Sequence, residues 1–121
     1  MYQRIPMPEG PLFGVRIRQE ITEREHRELV GLIQAHSRQY GPVRLLVVYE
    51  ADSGFMGAES LYENLRFVKE TSEKLVRMAV IGDHAWANTW VALFGLFGGI
   101  RANYFDRPQA EEALSWLQEQ A

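Results

Sequence analysis

The sequence predicts an α/β domain: a mixed, mostly parallel five-stranded sheet with about four helices, in the order β-β-α-β-α-β-α-β-α. Three observations carry this. An alternating apolar segment follows a short apolar stretch across a Pro- and Gly-rich turn. The run Val43 to Tyr49 is almost continuously β-branched and aliphatic, the composition of a strand covered on both faces. Beyond it, helical and strand-like periods alternate, which demands parallel pairing through crossovers. At 121 residues the chain fits one domain, residues 1–121, with a real core.

Tyr2 to Ile5 reads as an edge strand, ended by the turn-forming Pro6-Met7-Pro8-Glu9-Gly10-Pro11. Leu12 to Arg18 alternates, with Phe13, Val15 and Ile17 on one side. The short connection favours an antiparallel hairpin. Thr22-Glu23-Arg24-Glu25 has the pattern of a capping box. Leu29, Ile33, His36 and Tyr40 follow at helical spacing, and Gly41-Pro42 stops the helix. After Val43 to Tyr49 comes a loop from Glu50 to Gly57. Leu61, Leu65 and Val68 then mark the stripe of a second helix. Leu75 to Ile81 is the next strand, closed by Gly82-Asp83. A third helix is expected from about His84 to Leu96, and Ile100 to Phe105 is the last strand. Asp106 is placed to cap a final helix, with Pro108 near its first turn and Ala110, Ala113, Leu114 and Leu117 facing inward.

Composition excludes several classes of function. There is no cysteine, hence no disulfide, thiolate chemistry or cysteine-held metal, which suits a reducing compartment. A net charge of −3 gives no electrostatic footprint for nucleic acid. Arg16, Arg18, Arg24 and Arg27 interleave with Glu20, Glu23, Glu25 and Glu28, the pattern of a solvated face with local ion pairs. The start, Met-Tyr-Gln-Arg-Ile-Pro, lacks the apolar run of a signal peptide. The longest uncharged stretch, Ala85 to Ile100, would span only about 24 Å as a helix, short of a bilayer core. A cytoplasmic protein without a transmembrane segment is expected.

In element order and in local motifs the chain resembles the SpoIIAA-like family of small bacterial proteins, which have the STAS fold. That family is related by fold to CRAL-TRIO lipid carriers. The residues that carry the resemblance are the strand Val43 to Tyr49 followed by Gly54-Phe55, and Met78-Ala79-Val80-Ile81-Gly82-Asp83-His84-Ala85-Trp86. The closing segments are Ile100-Arg101 to Tyr104-Phe105-Asp106 and Ala113-Leu114-Ser115-Trp116-Leu117. The resemblance implies a non-enzymatic regulatory or binding module, acting through protein–protein contact or an apolar or lipid ligand, with no cofactor. In STAS antagonists a serine at the start of the second helix is phosphorylated, and Asp52-Ser53-Gly54 is similar to that site. A phosphate on Ser53 would add about two negative charges beside Glu50 and Asp52. A plain loop serine is the simpler reading.

Ligands of parallel sheets sit outside the carboxyl ends of the strands. Those ends supply Glu50, Asp52 and Ser53 from one loop, and Gly82, Asp83 and His84 from the next. If the two strands are neighbours, Glu50, Asp52, Asp83 and His84 converge as a polar or metal site, or as the acid–base pair of a small enzyme. Asp83 is equally placed to cap the third helix. His26 and His36, ten residues apart on one helix, cannot share a metal. No catalytic or phosphate-loop signature occurs.

The third helix has Trp86, Trp90, Phe94 and Phe97 near one face, widened by Val91, Leu93 and Leu96. A helix apolar most of the way round buries its outer side against something besides the sheet. The candidates are a covering loop, a second subunit, a lipid surface or an enclosed apolar ligand. A homodimer is the expected partner state, with Phe55, Trp86, Trp90 and Phe94 as the ligand or partner surface. Peripheral membrane contact is the other use of such a face.

Overall fold

Alternation along Leu12–Ile17 buries Phe13 and Val15 on one side and Leu12 on the other, so this strand needs a layer on each face. The computed structural model describes residues 2–18, 22–50, 74–82 and 101–119. It contains one five-stranded sheet: β1 (Tyr2–Ile5), β2 (Leu12–Ile17), β3 (Val43–Tyr49), β4 (Leu75–Gly82) and β5 (Arg101–Asp106), in that spatial order. β1 and β2 pair antiparallel, as the turn at Pro6–Pro11 requires. The pairs β2–β3, β3–β4 and β4–β5 are all parallel. The mixed, mostly parallel sheet read from the sequence is therefore present.

Two α-helices lie among the described residues, α1 (Glu23–Tyr40) and α2 (Ala110–Gln118). The other two of the four expected helices fall on residues 51–73 and 83–100, outside the described residues. α1 covers one face of the sheet. Its Leu29 and Ile33 join Phe13, Val15, Val43, Leu45, Met78 and Val80 in one core cluster. α2 covers the opposite face, where Ala113 and Leu117 pack with Leu12, Leu46, Ala79, Ile81 and Phe105. Gly14 lets the turn fold back here, because a Cβ at that position would stand 2.5 Å from Met7 Cε and 3.0 Å from Ile5 Cβ.

Both ends of α1 follow the sequence signals. The Thr22 Oγ1 accepts from the Glu25 backbone N–H, and the Glu25 carboxylate accepts from the Thr22 N–H, each at 3.2 Å. This backbone bond holds the Glu25 carboxyl below the usual carboxylate range. At the other end Gly41, at φ +82°, adopts a conformation that side chains disfavour, and its N–H donates to Ser37 O at 2.8 Å.

The start of α2 differs from expectation. Asp106 sits at the N-cap of a 3-10 turn, Arg107–Gln109, and α2 begins only after it. Gln109 Oε1 accepts from the Asp106 N–H at 3.0 Å. The tight turn makes Ala110 the first residue of α2. Ala113 and Leu117 are buried, Leu114 is half-buried, and Ala110 is exposed rather than inward-facing.

The end of α2 is held by two arginines that stand in register on neighbouring strands, Arg44 on β3 and Arg77 on β4. Arg44 donates to the carbonyls of Leu117 and of Glu119, the latter at 2.7 Å. Arg77, only 3% exposed, donates to Trp116 O at 2.6 Å and pairs with the Glu119 carboxylate at 3.3 Å. Its guanidinium also lies over the Trp116 ring, 5.0 Å from the centroid. Helix C-termini leave carbonyls without intrahelical partners, and cations there are favourable.

Two substitutions test these end interactions by urea unfolding. Thr22→Ala is expected to lower stability by about 1 kcal/mol. Glu25 contributes stability above its unfolded-state range and loses it as pH falls through its lowered folded value. The Thr22 N–H that lowers it survives in Thr22→Ala, so this variant should keep most of the parent's stability difference between neutral and acidic pH. Arg77→Met takes the shorter of two hydrogen bonds from Trp116 O, which keeps only the Glu119 N–H at 3.3 Å, and unpairs the Glu119 carboxylate. A loss of about 1–3 kcal/mol is expected.

Candidate functional site

Four parallel strands end side by side at Ile17, Tyr49, Gly82 and Asp106. Side chains just beyond such ends leave the sheet unpaired, and open parallel sheets bind their ligands there. β3 and β4 are neighbours, which is the condition set by the sequence reading. Of the residues expected at this edge, Glu50 is described. Asp52, Ser53, Phe55, Asp83, His84, Trp86, Trp90 and Phe94 lie outside the described residues.

Glu50 is built into the sheet end. Its backbone N–H donates to Ile17 O at 2.8 Å, extending the β2–β3 ladder by one bond. Its carboxylate divides between two guanidinium groups: Oε1 is 3.2 Å from Arg16 Nε and Oε2 is 3.5 Å from Arg18 Nε. The Arg16 contact is an ion pair without hydrogen-bond alignment, and that Nε is shielded from solvent. Arg16 and Arg18 are two residues apart at the end of β2, so they emerge on one side of the strand.

This arrangement corrects the expectation that Arg16 and Arg18 belong to a local ion-paired face with the neighbouring glutamates. Arg24 does pair with Glu28 one helical turn on, at 3.3 Å. Arg16 and Arg18 instead reach across to β3. The interleaved sequence pattern spans a strand and a helix, and helical i,i+4 spacing has no meaning on the strand.

At the far end of the same edge, Tyr104 on β5 supplies a group that sequence reasoning missed. Its hydroxyl lies 2.7 Å from Gly82 O and 3.0 Å from Asp106 Oδ1. One phenolic proton cannot serve two acceptors fully, so the hydroxyl is shared between the end of β4 and the end of β5. The register that sets Gly82 beside Asp106 creates this contact. A period-2 reading of β5 puts Tyr104 and Asp106 on one side, which is the only signal in the sequence.

The two helix histidines are apart and differently used. His26 is buried in α1. His36 Nε2 lies 2.7 Å from Gly10 O, and a carbonyl only accepts, so Nε2 carries the proton. Nδ1 then faces the Arg4 guanidinium at 3.4 Å. The His36 ring also meets Phe13 edge-on at 5.4 Å and Tyr40 at 4.7 Å between centroids. His36 therefore pins the β1–β2 turn to α1. Among the described residues no group of three or more His, Asp or Glu is gathered that could hold a metal ion, and no helix is long and apolar enough to cross a membrane.

Comparison with known proteins gives a consistent picture of the fold. The model of the SpoIIAA-like family matches residues 12–118. Among solved structures, the chain is similar to an uncharacterized protein from the DUF3478 family with a SpoIIAA-like fold, from Shewanella loihica PV-4. The TM-score is 0.70 at 11% identity, covering 97% of this chain and 92% of that one. At that identity the likeness is one of fold alone. No curated protein matches the chain.

Removing the shared carboxylate tests the edge. Glu50→Gln leaves Arg16 and Arg18 facing each other uncompensated. All three side chains are 30% exposed or more, so solvent screening limits the loss to about 1 kcal/mol or less. In urea unfolding the gap between variant and parent is expected to narrow as salt is raised to about 1 M, where the Debye length is about 3 Å.

Proposed function

The chain belongs to the SpoIIAA-like family, and on that footing we propose that it is a non-enzymatic binding or regulatory module. It works as a homodimer in the cytoplasm and contacts protein partners through the carboxyl edge of its sheet. Phe55, Trp86, Trp90 and Phe94 serve as apolar anchors of that working surface.

The observation that carries this reading is the state of Glu50. A general base or a metal ligand needs a carboxylate lone pair turned toward substrate or ion. Each Glu50 oxygen instead faces an arginine Nε, at 3.2 Å and 3.5 Å. The carboxylate thus pairs with charge at a partly exposed edge, which suits recognition better than acid–base work. Exposed charge at a rim steers encounter and selects partners, while apolar anchors beside it supply affinity.

Native mass spectrometry at near-neutral pH, followed by a denaturing run, tests the proposal. A dimer mass with no retained small molecule is expected. A lipid-sized mass released on denaturation would replace this reading with that of an apolar-ligand carrier, and a bare monomer would remove the self-association. Trp90→Ala is expected to shift the dimer toward monomer.

A further inference from the structure

At the carboxyl edge, two guanidinium groups share one carboxylate, so the Arg16–Glu50–Arg18 cluster carries one uncompensated positive charge. Glu50 approaches both arginines at Nε. Each guanidinium also has two terminal Nη groups. Among the described residues no hydrogen bond engages these four nitrogens. An arginine held at Nε loses rotamer freedom before any ligand arrives, which lowers the entropy cost of using its outer edge. Gln3, exposed and in register with Arg16 across the hairpin, adds an amide beside the pair.

We propose that Arg16 and Arg18, aligned by Glu50, form a dock for a carboxylate of an acidic peptide segment on a protein partner. The inference rests on the reading of this edge as a protein-contact surface and names the chemistry of the partner. Charge selects a carboxylate: one further negative charge brings the cluster to neutrality with Glu50 in place. A phosphate dianion would overshoot or have to displace Glu50. Exposure selects a peptide. The Arg16 and Arg18 side chains are 36% and 52% exposed, and at such sites one ion pair contributes only about 0.2–1 kcal/mol. A free small anion gains little more than that, whereas a peptide adds contacts on either side of the carboxylate.

The test is an NMR titration of the full chain with a Glu-rich peptide, following the arginine Nε–H resonances. A peptide of the same length carrying Gln in place of Glu, and inorganic phosphate, are titrated in parallel. Saturable shifts at Arg16 and Arg18 are expected with the Glu-rich peptide and not with the Gln peptide. Arg18→Gln, at an exposed position, should weaken binding about threefold to fivefold. Shifts confined to other residues, or unchanged affinity in Arg18→Gln, would overturn the inference. Phosphate producing the same shifts at lower concentration than the peptide would also overturn it, in favour of a small-anion site. A dimer by native mass spectrometry with no peptide response leaves the binding module standing and removes the acidic partner alone. A monomer that binds the peptide at Arg16 and Arg18 supports the dock and removes the dimer.

Discussion

Burial of β3 and β4 on both faces is the constraint from which the rest of the structure follows. Their central residues point alternately to two layers: Val43, Leu45, Met78 and Val80 toward α1, Leu46, Ala79 and Ile81 toward α2. Each fully buried aliphatic side chain contributes about 1.5–3 kcal/mol relative to exposure, so neither face can be left open. A parallel sheet cannot be closed by tight turns, and its crossovers carry the covering elements. Polar chemistry is thereby expelled from the middle of the strands to their two ends.

The two ends use arginine in opposite ways. At the amino end, Arg44 and Arg77 turn inward and spend their donors on the last carbonyls of α2. A guanidinium as buried as Arg77 is tolerated only with hydrogen bonds and a paired charge, which Trp116 O and Glu119 provide. At the carboxyl end, Arg16 and Arg18 meet a single acid and remain partly in water. The first pair locks a helix to the sheet. The second leaves donors and one charge at the edge where open parallel sheets meet their ligands.

Much of this fold was legible along the chain. The capping box at Thr22, the stop at Gly41 and the alternation of β2 are local signals with local causes, and each appears where its residues stand. The capping of α2 was legible only in outline, because Asp106-Arg107-Pro108 fits both a helix start and a 3-10 turn. Nothing local to residues 106–110 says which turn the packing of Phe105 and Ala113 will select. The interleaved Arg and Glu residues misled for a related reason: charge spacing is informative only once the element is known, and this cluster straddles two.

By itself the sequence determined the class of the domain, the positions of its strands and the boundaries of α1, since hydrophobic period, capping and turn chemistry all act over a few residues. It also brought acids to the ends of the strands expected to be parallel. Tertiary structure decided what those acids do. Glu50 becomes the shared partner of Arg16 and Arg18, and Tyr104 joins Gly82 to Asp106, because parallel register sets side by side residues that are 22 to 34 positions apart in the chain. Pairing at that separation depends on which strands are neighbours and in what register, and no single segment encodes either.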